Sequence, residues 1–233
     1  MADLEDDGVG QVPYVAELEV WLRGHSDEDK AVAMAAYMRD QFPFLGIKSP
    51  ERVEATRQFL KEKGTPELEE LDAIVRALWK LPEREYQYTA LLLMEKRLKK
   101  LDASWIGLLE MMITTASWWD TVDIIAGKLV GGLFGRYPEL IPEYGDKWIA
   151  SDNLWLRRSA LLFQLGYKGK TDKDLLFGYI RQCADEEEFF IRKAIGWALR
   201  EYAKTDEHAV RAFVKETPLS ALSVREALKR IGA

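Results

Sequence analysis

The chain has 233 residues, 48% of them hydrophobic and 31% charged, which is enough apolar material for one large or two small water-soluble domains. A single cysteine (Cys183) and two histidines (His25, His208) exclude an internal disulfide and a thiolate zinc site, and weigh against a histidine-based metal site or triad. No apolar run reaches membrane-span length, and the net charge of −6 argues, taken as a total, against a nucleic-acid partner.

Residues 1–12 are polar and acidic, a composition that predicts a disordered tail ahead of one helical domain over 13–233. The acidic start is unlike a signal peptide, so the expected location is the cytoplasm. From Pro13 the pattern is helical: Tyr14 to Arg23, then Asp27 to Asp40 with Ser26 or Asp27 as cap, carrying Val32, Ala35, Ala36 and Tyr37. The aromatic loop Gln41–Lys48 is broken by Pro43 and Gly46, and its Phe pair reads as a staple onto the core. Ser49-Pro50 and Thr65-Pro66 are helix starts, and Pro82 ends the second of these helices. A further helix runs from Arg84 to Lys99. No stretch of strand length alternates, so the chain reads as all-α, with roughly a dozen helices and short connections.

The stretch Ser117-Trp-Trp-Asp-Thr-Val-Asp123 places two indoles and two acids on one short helix. Trp119 and Asp123, four apart, share a face, while Trp118 lines up with Val122, Ile125 and Leu129 and reads as core. Ser117 and Asp120 read as a variant capping box. Asp123, past the first turn and flanked by Val122, Ile124 and Ile125, has no such explanation. The glycine-rich stretch Gly127 to Gly135 lacks the Gly-Lys-Ser/Thr ending of a phosphate loop and reads as close helix packing.

Trp155-Leu-Arg-Arg-Ser-Ala160 matches Phe190-Ile-Arg-Lys-Ala-Ile195 position for position, 35 residues apart. The same register upstream falls on Asp120–Ile125 and Glu85–Ala90. A repeat of this kind in helical sequence predicts an α-solenoid, in which equivalent positions line one surface; its period is near that of tetratricopeptide repeats, but their Trp-Leu-Gly-Tyr pattern is absent, so the expected repeat is a degenerate HEAT-like one. Asp123, Arg158 and Lys193 are equivalent in this register, so the unexplained acid is expected beside two cations. Within the helix after Phe189, Ile191, Ala194, Ile195, Ala198, Leu199 and Tyr202 form a core stripe, leaving Phe190, Lys193, Trp197, Arg200 and Lys204 on the other face. Charge supports this: four acids lie in the tail (Asp3, Glu5, Asp6, Asp7), whereas from Trp155 to Lys204 ten basic residues face seven acidic ones.

An isolated carboxylate, two indoles (Trp119, Trp197) and a basic rim suit a ligand that is cationic at its centre and polyanionic along its length. Alkylated DNA is such a ligand, because N-methylation places positive charge on a purine. Taken singly, an Asp–Arg pair is more often a structural ion pair and a tryptophan more often core.

The segments Tyr37–Lys48, Ser117–Asp123, Trp155–Ala160 and Phe190–Ala203 resemble, in order, those of the AlkD-type DNA alkylation-repair glycosylases, over the chain from about Pro13 to its end. The resemblance implies a HEAT-like superhelix with a concave, basic groove for duplex DNA. It implies monofunctional excision of N3-methyladenine, N7-methylguanine and bulkier cationic adducts without base flipping, by a monomer that uses no cofactor or metal and no membrane, associated with the nucleoid when on DNA. On this resemblance Asp123 is the catalytic carboxylate, with Trp119 and Trp197 against the lesion sugar. Arg158, Tyr37, Phe190, Lys193 and Arg200 lie along the DNA, and Arg158→Ala is expected to weaken binding and flatten its salt dependence. The alternative is a catalytically inactive solenoid that binds DNA or protein.

Overall fold

The structure is a computed structural model that describes residues 12–229. The acidic tail assigned to residues 1–12 lies outside these residues, except for Val12. Helices account for the fold, and the described residues include no strand. They divide into two compact units, one reaching to Arg97 and the other beginning at Leu98.

The first unit contains α1 (Pro13–Arg23), α2 (Glu28–Tyr37), α3 (Ser49–Lys63), α4 (Leu68–Lys80) and α5 (Arg84–Arg97). Asp27 caps α2 by accepting the Lys30 backbone N–H. That helix stops at Tyr37, where Arg39 and Asp40 turn left-handed, three residues before the expected end. It buries no side chain, and Val32 and Tyr37 are exposed. In α4, Leu71, Ile74, Val75 and Leu78 recur at helical spacing and are buried. The helix begins at Leu68 rather than Pro66, because Glu67 is its extended N-cap residue.

The aromatic loop is held from below by a carboxylate. Glu85, fully buried at the start of α5, accepts the backbone N–H groups of Leu45, Gly46 and Ile47 at 2.9, 2.9 and 3.0 Å. Phe44, Leu45 and Ile47 are buried, as a staple requires, whereas Phe42 lies against the Arg84 guanidinium at 3.8 Å. Gly46 has φ +87°, and a Cβ there would stand 1.9 Å from the Asp27 carbonyl oxygen. Strain and a backbone clash act together, so Gly46→Ala is expected to cost about 2 kcal/mol or more of stability, read as a lowered denaturant midpoint with unchanged slope. A midpoint equal to that of the wild type would show that the loop moves away freely.

In the second unit, α6 (Ile106–Thr114) is followed by α7 (Trp119–Ile124), which runs on through a π-helical stretch (Ile125–Val130) into α8 (Gly131–Phe134). A second π-helical stretch (Ile141–Gly145) leads into α9 (Asp146–Ile149), and then come α10 (Leu154–Leu162), α11 (Lys173–Gln182), α12 (Phe189–Ala203), α13 (Glu207–Glu216) and α14 (Ala221–Leu228). Ile125, Ala126, Leu129, Val130, Leu133 and Phe134 are fully buried. The glycine-rich stretch does serve close packing: a Cβ at Gly131 would sit 2.4 Å from the Phe163 carbonyl oxygen.

Candidate functional site

The site grows from three helices of the second unit. The short α7 carries Trp119 and Asp123 one turn apart. The capping box expected for it does not form. Ser117 Oγ instead donates to the Ile113 carbonyl at 2.6 Å, and Trp118 is the extended N-cap residue with no side-chain cap bond. The end of α6 captures Ser117 because that carbonyl is otherwise left open at a helix terminus. In α10, Asn153 caps the Trp155 and Leu156 N–H groups, which starts the helix where Trp155 and Arg158 fall on adjacent turns. In α12, the expected core residues Ile191, Ala194, Ile195, Ala198 and Leu199 are buried, which turns Phe190, Lys193 and Trp197 away from that stripe, while Tyr202, expected in the same stripe, is only half-buried near the helix end.

Asp123 and Arg158, 35 residues apart, meet as a bidentate pair. Arg158 Nε donates to Oδ1 at 2.7 Å and Nη2 to Oδ2 at 2.9 Å, with the side chains 14% and 6% exposed. A third donor, Nη1, bonds the Phe190 carbonyl, and the guanidinium lies 5.8 Å from the Phe190 ring centroid. Arg158 is therefore turned inward, with its donors engaged by protein rather than open to a phosphate. Burial raises the Asp123 pKa above the ordinary carboxylate value, the Arg158 pair opposes this, and nearby Asp120 adds to the rise.

An aromatic cluster adjoins the pair. Trp118, Trp155 and Phe190 form a triangle with centroid separations of 5.8, 5.2 and 5.1 Å, and Phe189, more than half exposed, packs edge-on against Phe190 at 5.4 Å. Trp118 is thus half-buried among rings, not in the core row with Val122, Ile125 and Leu129. The 35-residue register does place Trp155 against Phe190, as equivalent positions on neighbouring helices. The ring cluster adds Trp118, Trp155 and Phe189 to the candidate site, and the Trp155/Phe190 match in the repeat is the sequence signal that points to it. Trp119 and Trp197 are both half-buried, on α7 and α12 respectively.

The remaining cations on α12 are differently placed from the expectation. Lys193 Nζ and Arg200 Nη1 both bond one carboxylate, Glu226 of α14, at 3.2 and 2.8 Å. The solvent-facing stripe is in part a helix interface, because Gly196 lies between them in the line of contact and lets α14 come close. A Cβ on Gly196 would stand 2.5 Å from the Glu226 Cβ. Tyr37 is an exposed residue of the first unit. Among the described residues no group of three or more His, Cys, Asp or Glu side chains is arranged to hold a metal ion, and no helix is long and apolar enough to cross a membrane.

The all-helical architecture of the described residues is consistent with the α-solenoid fold of DNA alkylation repair enzymes. The model of the DNA alkylation repair enzyme family matches residues 18–231, and the chain belongs to that family. A predicted DNA alkylation repair enzyme from Enterococcus faecalis is similar in structure, with 37% sequence identity and a TM-score of 0.83 over 89% of this chain and 97% of that one. The smu.31 protein of Streptococcus mutans UA159 shares the fold, with 16% identity and a TM-score of 0.61 over 94% of this chain and 98% of that one. No curated protein matches the chain. Family membership supports a role in DNA repair, with DNA as the substrate.

Proposed function

We propose that the chain is a monofunctional DNA glycosylase that hydrolyses the N-glycosidic bond of cationic alkylpurines, N3-methyladenine and N7-methylguanine, in duplex DNA. The observation that carries this reading is the Asp123–Arg158 pair, a mostly buried carboxylate kept beside a ring cluster and flanked in sequence by Trp119. HEAT-like repeats framing a groove for the duplex, action as a monomer and a cytoplasmic location belong to the same proposal.

An alkylated purine already carries the positive charge that makes it a leaving group. The C1′–N9 bond breaks with its electron pair passing to the base, which departs neutral, and the positive charge moves to the deoxyribose. Water then adds at C1′ and releases a proton, leaving an abasic site. No general acid is required. A carboxylate about 4 Å from the growing charge is worth on the order of 4 kcal/mol at an effective dielectric of 20. Arg158 offsets part of that field, so the roughly thousandfold acceleration this represents is an upper figure. In return Arg158 keeps the buried carboxylate ionised and fixed in orientation. Trp119 and Trp197 supply indole faces, which attract a cationic sugar and base.

The test is release of N7-methylguanine from methylated duplex, followed against pH. The ionised carboxylate is the active form, and burial favours the neutral one. Release is therefore expected to hold at neutral pH and to fall as pH drops through a midpoint above the ordinary aspartate value of about 3.9. No base release at any pH would sink the enzymatic reading. One observation favours a second reading: both Asp123 oxygens already accept from Arg158, as in a purely structural pair, which would leave a DNA-binding helical protein without catalysis.

A further inference from the structure

The α12 face that charge and periodicity present as DNA-binding is occupied from within. Lys193 and Arg200 stand seven residues apart, two turns of helix, with Gly196 between them on the face that meets α14. One carboxylate spans that distance: Glu226 accepts from Lys193 at Oε1 and from Arg200 at Oε2 and is itself mostly buried. Its position is locked by backbone approach at Gly196 and by Ser223, one turn earlier on α14, whose hydroxyl donates to the Arg192 carbonyl at 2.9 Å. Two oxygens of one anion accepting from two cations is also how the non-bridging oxygens of a phosphodiester would be held.

The geometry points to Glu226 as an internal surrogate for a DNA phosphate, occupying the Lys193–Arg200 pair and withholding it from the duplex backbone. The partner is the phosphodiester chain, and the inference rests on the DNA-binding reading above. Two cations sharing one carboxylate keep a single net positive charge, so the pair attracts the backbone weakly until the carboxylate is removed. Glu226 thereby limits the hold on undamaged duplex, most of which comes from cation–phosphate contacts and is sequence-independent. A repair protein that must leave undamaged sites benefits from such a limit, and the weak hold agrees with an acidic chain.

The experiment is a salt titration of binding to undamaged duplex. Glu226→Gln is expected to bind roughly tenfold tighter at about 50 mM salt, with a log–log salt slope steeper by about 0.9 for each cation released. Glu216→Gln, the same charge change at the exposed end of α13, serves as the control for net charge alone and is expected to produce no such gain. In the Lys193→Met, Glu226→Gln double variant most of the gain should vanish. Should Glu226→Gln fold poorly by thermal melting, Glu226→Ala carries the same test, since it also removes the carboxylate that both cations bond, and a steeper slope is again expected. Equal affinity and slope in wild type and both Glu226 variants, or an equal gain in Glu216→Gln, would overturn the inference. Binding that fails for every protein in the series would instead remove the DNA reading and this inference with it.

Discussion

Asp123→Asn is expected to lower the rate of N7-methylguanine release by up to about a thousandfold, while binding to undamaged duplex stays within a factor of a few. The rate estimate follows from removing one full negative charge about 4 Å from a sugar that becomes cationic in the transition state. Asparagine keeps the size and one acceptor oxygen, so Arg158 still has a partner there and still bonds the Phe190 carbonyl. Breaking a mostly buried pair also costs stability, and rates must be compared below the melting temperature of the variant. Single-turnover kinetics with protein in excess isolates the bond-breaking step. Equal release by Asp123→Asn and wild type would remove the carboxylate from the chemistry and leave the pair with a structural role.

Arg158→Ala has the second large effect, and it differs from what the sequence alone leads one to expect. With its side chain 6% exposed and its guanidinium bonded to both Asp123 oxygens and to the Phe190 carbonyl, Arg158 has little left to offer a phosphate. Its loss leaves an uncompensated carboxylate in a buried place, at a cost of about 3–5 kcal/mol. The Asp123 pKa, already raised by burial, rises further once its cation is gone, so the acid limb of the release profile should move toward neutral pH. The salt slope of binding should stay the same. A flattened slope with an unmoved pH profile would return Arg158 to the phosphate contacts.

These contrasts mark what was legible in the sequence. The helical period, a helix cap at Ser26 or Asp27 and the core stripe of α12 were readable, because each depends on residues within a turn or two of one another. The 35-residue register reached further. It made Asp123, Arg158 and Lys193 equivalent, and the first two do meet, as do Trp155 and Phe190. Register says which residues share a row, but it does not say which of two partners a side chain takes.

Four outcomes depended on that choice. Ser117 turned back to the Ile113 carbonyl instead of capping α7, since an unsatisfied carbonyl at the end of α6 lay within reach. Trp118 left the apolar row of its own helix for the rings of α10 and α12. Arg158 faced inward, and Lys193 turned to Glu226, which is 33 positions later and on no shared period. By itself the sequence determined an all-helical chain, its core rows, and the meeting of one acid with one arginine, because local hydrogen bonding and apolar periodicity act along the chain. Only the tertiary structure decided which charges remain available to a ligand, because a charged side chain bonds whichever opposite charge packing brings within about 3 Å, and that neighbour can come from any part of the chain.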